Sequence, residues 1–220
     1  MDESLEYFLT QFTPLPHALP FREETLEKYQ GRLPNQLLTY WRELGQCGFN
    51  KGSFWLVDPD DYIDLIDVLL QDKTTFHPSE CIVFARSGLG HLHIWCERIG
   101  TLYISVAELK LCFGAPSLMM ITGKREMKVG MHLASVQPSN MPNIDIIDDD
   151  GKFLIKRAQK DLGPLKVDEC YGFFPALPMG GSRRIENLKK VKLHEHLMMI
   201  AQMDTLRVYD VDQFPPKQVE

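Results

Sequence analysis

Between Cys81 and Leu109 the chain runs through three apolar stretches, "CIVFARS", "HLHIWCER" and "TLYISVAEL", separated only by "GLG" and "IG". Each stretch has strand length and is rich in β-branched and aromatic residues, and the glycines between them suit tight hairpin turns. Connections this short join antiparallel neighbours, because a parallel crossover needs a dozen residues or more. An antiparallel β-meander is therefore expected here, and the rest of the chain has to be arranged around it.

Upstream of the meander the pattern is helical. Leu5, Phe8, Leu9 and Phe12 recur at helical spacing over Glu3 to Phe12, and "TPLPHALPF" then breaks the helix. A short helix is expected from Arg22 to Tyr29. Another opens at Pro34, carries Leu37, Leu38, Trp41 and Leu44 on one face, and stops at Gly45. "GSFWLVDP" reads as a strand, followed by a helix that Pro59 opens and Asp58 caps. Helices followed by a run of strands point to an α+β fold rather than alternating βαβ units. Downstream, "SLMMITG" and "MKVGMHLASV" fit either strand or short helix, and "QPSNMPN" reads as a connector. "KFLIKRAQKDLG" reads as a helix, and a Pro/Gly-rich loop leads to a terminal helix around "KVKLHEHLMMIA".

The bulk numbers exclude some classes. With 220 residues, 44% hydrophobic, the chain can bury a core without a disulfide or metal staple. A net charge of −6 argues against a dedicated nucleic-acid binder. The five cysteines form no CxxC pair and mostly sit in apolar runs, as buried reduced thiols do in a reducing compartment. "MDESLEYFLTQF" lacks the basic and apolar regions of a signal peptide, and no apolar run is long enough to span a membrane. A cytoplasmic protein is expected.

Several segments invite a chemical reading. In "KVKLHEHLMMIA" two histidines flank Glu195, but a zinc-protease helix needs HExxH. His194 and His196 are two apart, which turns their side chains by roughly 200° on a helix. The residue four beyond His194 is Met198, and Leu193, Leu197, Ile200 and Ala201 form an apolar face suited to packing. In "GHLHIWCE" strand geometry places His91, His93 and Trp95 on one face and Leu92, Ile94 and Cys96 on the other. The thiol points away from the histidines, so a half-buried strand with a polar outer face is expected. "DIIDDDGK" fails as a calcium loop, because Ile146 and Arg157 stand where acidic ligands are needed. It reads as a turn before a helix. "SGLG" is a hairpin turn, and no serine or cysteine has a GxSxG context. The basic cluster Arg183, Arg184, Lys189, Lys190 and Lys192 lacks interleaved aromatics and reads as a solvated face. No catalytic constellation or cofactor site is assembled, which by elimination leaves a binding module. Two alternatives stay open: a DNA-binding regulator using the basic cluster, and a metal-dependent enzyme built on His91/His93 or His194/His196.

The C-terminal third is more specific. It presents, in order, Arg157-Ala158, Leu162-Gly163, Asp168-Glu169, Tyr171-Gly172-Phe173, Pro175-Ala176-Leu177, Gly180-Gly181 and His196-Leu197. This series resembles the C-terminal domain of bacterial type VI secretion immunity proteins. "LPNQLLTYWRELG", "GSFWLVDPDDY" and "FARSGLGHLHIW" are similar to the GAD-like domain that usually precedes it and, more distantly, to SMI1/KNR4-like proteins.

The resemblance implies a GAD-like domain over residues 1–115, a connecting region over 116–143, an immunity C-terminal domain over 144–206 and a tail over 207–220. The expected fold is α+β, with N-terminal helices packed on the antiparallel meander, followed by a smaller, mostly helical C-terminal domain. The implied function is to bind a cognate secreted nuclease effector, a DNase, in a stoichiometric complex in the bacterial cytoplasm. No turnover, cofactor, metal or membrane is implied. Asp168, Glu169, Tyr171, Gly172, Phe173, Pro175, Gly180, Gly181 and His196 are expected to be structural. The resemblance carries over no interface. An acidic surface mimics phosphate and speeds association with a basic cleft. Candidate partner-binding residues are therefore Asp58, Asp60, Asp61 and Asp64, and Asp145, Asp148, Asp149 and Asp150, with Trp55 or Tyr62 as an aromatic anchor. Each acidic run also lies near a helix N-terminus, where carboxylates complement the helix dipole.

Overall fold

The computed structural model describes residues 3–113, 144–210 and 217–219. "SLMMITG", "MKVGMHLASV" and "QPSNMPN" lie outside the described residues.

The meander forms as its spacing requires. Strands β3 (Cys81–Ser87), β4 (His91–Cys96) and β5 (Gly100–Ser105) pair antiparallel, with Cys81 opposite Cys96 and His91 opposite Ser105. In the first hairpin turn the Ser87 hydroxyl accepts hydrogen bonds from the N–H groups of Leu89 and His91, both at 3.2 Å. Gly90 has φ +76°, and a Cβ there would stand 2.6 Å from Leu197, so only glycine fits. On one side the sheet continues through β2 (Phe54–Leu56) to β1 (Gly48–Phe49). On the other it runs through β6 (Lys110–Phe113) to β9 (Arg207–Asp210) and β10 (Lys217–Gln218). The β6–β9 pair is parallel and the other neighbours are antiparallel.

Helices cover both faces. On one face α1 (Glu3–Gln11), α2 (Glu23–Tyr29) and α3 (Asn35–Leu44) build an aromatic-rich core from Phe8, Phe12, Tyr29 and Trp41 against Phe49, Phe54, Phe84 and Trp95. On the other, α4 (Ile63–Leu70) and α6 (Leu193–Ala201) pack Leu65, Ile66, Leu69, Leu197 and Ile200 against Val83, Leu92, Ile94 and Ile104. The two faces of β4 alternate as its sequence dictates, but neither is polar and solvated. His91 and His93 are fully buried, and His93 sits edge-on to Phe54 at 5.2 Å. The expected half-buried strand is corrected because α6, from the far end of the chain, and the N-terminal helices close opposite faces.

The C-terminal part holds helix and strand together. Its third core cluster joins α5 (Ile155–Leu162) to an antiparallel hairpin of β7 (Glu169–Phe173) and β8 (Leu188–Lys192). In "LKKVK" the lysines are exposed while Leu188 is buried and Val191 partly so, and pairing of Leu188 with Phe173 and Val191 with Cys170 makes a strand of what reads as the lead-in to a helix. Backbone bonds tie this part to the sheet: the N–H groups of Tyr171 and Leu165 donate to the carbonyls of Gly88 and Lys51, at 2.8 and 3.1 Å.

Candidate functional site

A cleft of about 580 Å³ opens where the two parts of the chain meet. One wall is the segment Leu56 to Leu65, which includes the 3-10 turn Pro59–Tyr62 ahead of α4. The other is formed by Val167, Asp168 and the start of α6. Pro59 opens the turn, and the Asp58 side chain caps it by accepting from the Asp60 N–H at 3.1 Å. Asp58 is buried, with the Thr25 hydroxyl at 3.3 Å and Arg22 at 3.8 Å. Asp60 turns towards α2, where Lys28 and the Tyr29 hydroxyl each donate to it at 2.6 Å. Burial alone would raise its carboxyl, but these two donors hold it below the usual range.

Asp61 is exposed and lines the cleft; partial burial and the neighbouring carboxylates of Asp58 and Asp60 push its carboxyl up. The Asp64 carboxylate stands 3.1 Å from Nε2 of His194, linking α4 to the first turn of α6. Asp168 and Lys192 form an ion pair at the other side, and Glu195 completes the acidic lining. The aromatic candidates face inward. Trp55 is buried, donates from Nε1 to the Gly52 carbonyl at 3.2 Å, and has the Arg86 guanidinium 5.1 Å from its ring centre. Tyr62 is buried against Arg86 beneath the cleft, and burial pushes its hydroxyl up to about 12.

The second acidic run does not line this cleft. Asp145 is buried and accepts from the N–H groups of Ile146, Leu154 and Ile155, anchoring the start of α5. Asp148 is buried in a tight turn, accepting from the N–H groups of Asp150 and Lys152 and pairing with Arg157. Asp149 and Asp150 are exposed, with Arg184 3.8 Å from Asp149.

The remaining C-terminal residues hold the local fold. Glu169 accepts from the Lys166 N–H at 3.0 Å, and the buried Tyr171 hydroxyl donates to the Gly163 carbonyl at 2.5 Å. A Cβ on Gly172 would stand 2.3 Å from Nε2 of His196, and one on Gly181 would stand 2.0 Å from the Pro175 carbonyl oxygen. Phe173 is buried, the Phe174–Pro175 peptide is cis, and Gly180 has φ +83°. His196 is buried with its ring 5.6 Å from that of Phe174, and burial lowers its pKa. The basic cluster is engaged as well. Arg183 pairs with Glu108 at 2.7 Å, Lys190 donates to the Pro164 carbonyl at 3.3 Å, and Lys189 lies over the Phe174 ring.

Among the described residues, no group of three or more His, Cys, Asp or Glu side chains is arranged to hold a metal ion. No described helix is long and apolar enough to cross a membrane. Sequence reasoning missed the apolar lip of the cleft, Leu19 and Val167, and its link from Asp64 to His194. It also missed Arg86, whose signal was a lone cation inside "CIVFARS".

Residues 3–108 match the GAD-like domain, and residues 139–204 match the C-terminal domain of T6SS immunity protein Tdi1. The crystal structure of Atu4351 from Agrobacterium tumefaciens superposes with a TM-score of 0.86 at 20% identity, covering 100% of this chain and 97% of that one. That likeness shows a shared fold. No curated protein matches. The two family matches follow one another along the chain, so it combines a GAD-like domain with a T6SS immunity C-terminal domain, an architecture that supports an immunity role.

Proposed function

We propose that this chain is an immunity protein that neutralises a cognate type VI secreted antibacterial nuclease, a DNase, by forming a stoichiometric complex in the cytoplasm of the producing cell. The observation that carries this reading is the match of residues 139–204 to T6SS immunity protein Tdi1. Inhibition by occupancy needs no turnover, so the protein acts as a binding partner rather than an enzyme. A DNase must present a basic surface to phosphate, and a chain of net charge −6 is drawn to such a surface. The exposed carboxylates Asp61, Asp64, Asp149 and Asp150 are the members of the two acidic runs available to it. The DNA-regulator alternative is disfavoured because Arg183, Arg184 and Lys192 already face carboxylates.

The test is co-expression with the nuclease effector encoded beside its gene in a susceptible bacterium. Growth should be restored, the purified pair should elute as one complex, and DNA cleavage by the effector should stop at equimolar inhibitor. Continued killing, with the two proteins eluting separately, would remove the immunity reading.

A further inference from the structure

The cleft between the two parts of the chain is concave, mostly apolar and open to solvent. Its lip carries Leu19 and Val167, which are 60% and 54% exposed. Aliphatic side chains left at the mouth of a cavity are surface that an occupant would remove from water. The charge inside is one-sided. Lys192 is held by Asp168, and His194 stands on Asp64. Arg22 reaches Asp58 only at 3.8 Å. Among the described residues, neither Asp61 nor Glu195 meets an ion-pair partner. The positive end of α6 points to this region, but it is already answered: the Leu193 N–H donates to the Asp168 carbonyl at 2.9 Å, and Glu195 sits in the first turn. An anion entering here meets carboxylates. A cation beside an apolar group meets complementary charge and complementary surface.

Resting on the immunity reading above, we infer that this cleft is the docking site for the effector, and that it receives a segment presenting an arginine next to an apolar side chain. Arginine suits the site because its planar guanidinium engages carboxylates with several donors and is less strongly hydrated than an ammonium group. Asp61 and Glu195 meet the cation, and Leu19 and Val167 meet its apolar neighbour. Asp61 comes from the GAD-like part and Glu195 and Val167 from the C-terminal part, so the occupant bridges both. A basic, apolar element on a nuclease is one it would otherwise use on DNA, which links occupancy of the cleft to loss of cleavage.

The experiment uses the full chain and the purified effector encoded beside its gene. Affinity and protection are measured for wild type, for Asp61→Lys, Glu195→Lys and their double variant, and for Val167→Asp. Glu6→Lys and Asp161→Lys, exposed carboxylates that lie off the cleft and outside both acidic runs, are the controls, and thermal melts confirm that each variant is folded. Each cleft variant is expected to weaken binding about 10-fold or more and the double variant about 100-fold or more, while the controls stay within about 3-fold. An arginine-to-glutamate reversal on the effector should restore binding to the Asp61→Lys variant. Wild-type affinity in the folded double variant and in Val167→Asp would overturn the cleft while leaving the immunity reading intact. Equal losses in the cleft and control variants would reduce the effect to general charge attraction and overturn it too. If wild type neither binds nor protects, the immunity reading fails, and this inference fails with it.

Discussion

The guanidinium of Arg86, on the third strand of the sheet, donates from Nη2 to the carbonyl of Val167, 81 positions further along the chain, at 2.6 Å. Arg86 is fully buried, lies over the Trp55 ring and donates to the Ser87 carbonyl at 3.3 Å, and no carboxylate pairs with it among the described residues. A guanidinium held by carbonyls and an aromatic face fixes the turn ahead of β7 that carries Val167, one lip of the cleft. Arg86→Ala removes the packing and leaves a buried carbonyl without its donor, which should cost about 3 kcal/mol or more of folding stability. Arg86→Met keeps most of the volume and removes the desolvation burden, so it should cost less. Urea denaturation of the three proteins orders them; an alanine variant as stable as wild type would refute the clamp.

The meander was legible because glycines punctuate it, and the helix ends were legible at Asp58-Pro59, Gly45 and Gly163. What closes the second face of the sheet was not. Leu197 reaches Gly90 across more than a hundred residues, and a single strand carries no sign of what will cover it. The same limit hid the parallel partner of β6, since pairing at that sequence separation leaves no local pattern. At the site, the run Asp58, Asp60, Asp61 and Asp64 reads as four similar carboxylates. Their roles diverge only when α2 supplies Thr25, Lys28 and Tyr29 to two of them and α6 supplies His194 to a third. Asp61 is distinctive because, among the described residues, Arg22 and His194 act on it only from beyond ion-pair distance, which is a property of the neighbours and not of the run.

Gly172 and His196 define a contact with no slack. A methyl group on Gly172 would stand 2.3 Å from Nε2 of an imidazole that is itself buried. Gly172→Ala should therefore destabilise the fold by about 1–3 kcal/mol. His196→Ala vacates the same space, so the double variant should be more stable than the sum of the single losses predicts, with a coupling of about 1 kcal/mol. Additive losses in the cycle would show that the strain is relieved elsewhere.

Burial lowers the pKa of His196, so the folded protein favours the neutral ring while the unfolded chain takes up a proton near pH 6.5. The stability from this residue is present above about pH 6.5 and is lost as pH falls through the lower folded value. His196→Gln carries no titrating ring. The stability gap between wild type and this variant should therefore narrow as pH falls from about 7 to about 5, followed by urea midpoints. A constant gap would mean that His196 titrates alike in both states.

Asp145 behaves in the opposite sense. Burial pushes its carboxyl up to about 6, even though three backbone N–H groups, those of Ile146, Leu154 and Ile155, donate to it. The folded state therefore holds the proton more tightly than the unfolded chain. The associated stability is present below about pH 3.9 and is lost as pH rises through about 6. Asp145→Asn keeps an acceptor without the charge and should gain on wild type as pH rises from about 4 to about 7. Asp145→Ala strips the acceptor from buried donors and should lose about 1–3 kcal/mol. Thermal melts of both variants across this range check the sign. An asparagine variant that loses ground with rising pH would overturn it.

All five cysteines are free and buried, which fixes how they respond to thiol reagents. Cys170 lies deep in the core, where burial pushes its thiol up to about 12, and burial likewise raises Cys47 and Cys112. A thiol reacts as its thiolate and only when a reagent can reach it; both conditions fail for these three in the native state, while for Cys96, whose thiol is lowered by its hydrogen bond with Cys81, burial is the barrier. With an aromatic disulfide reagent at pH 8, labelling of the folded protein should run at least about 100-fold slower than in denaturant, where all five sites should react. Labelling that rises in parallel with urea-induced unfolding identifies global opening as the route. A single thiol that reacts early would instead mark a local opening, and mass mapping of the labelled residue would show which face of the sheet loosens first.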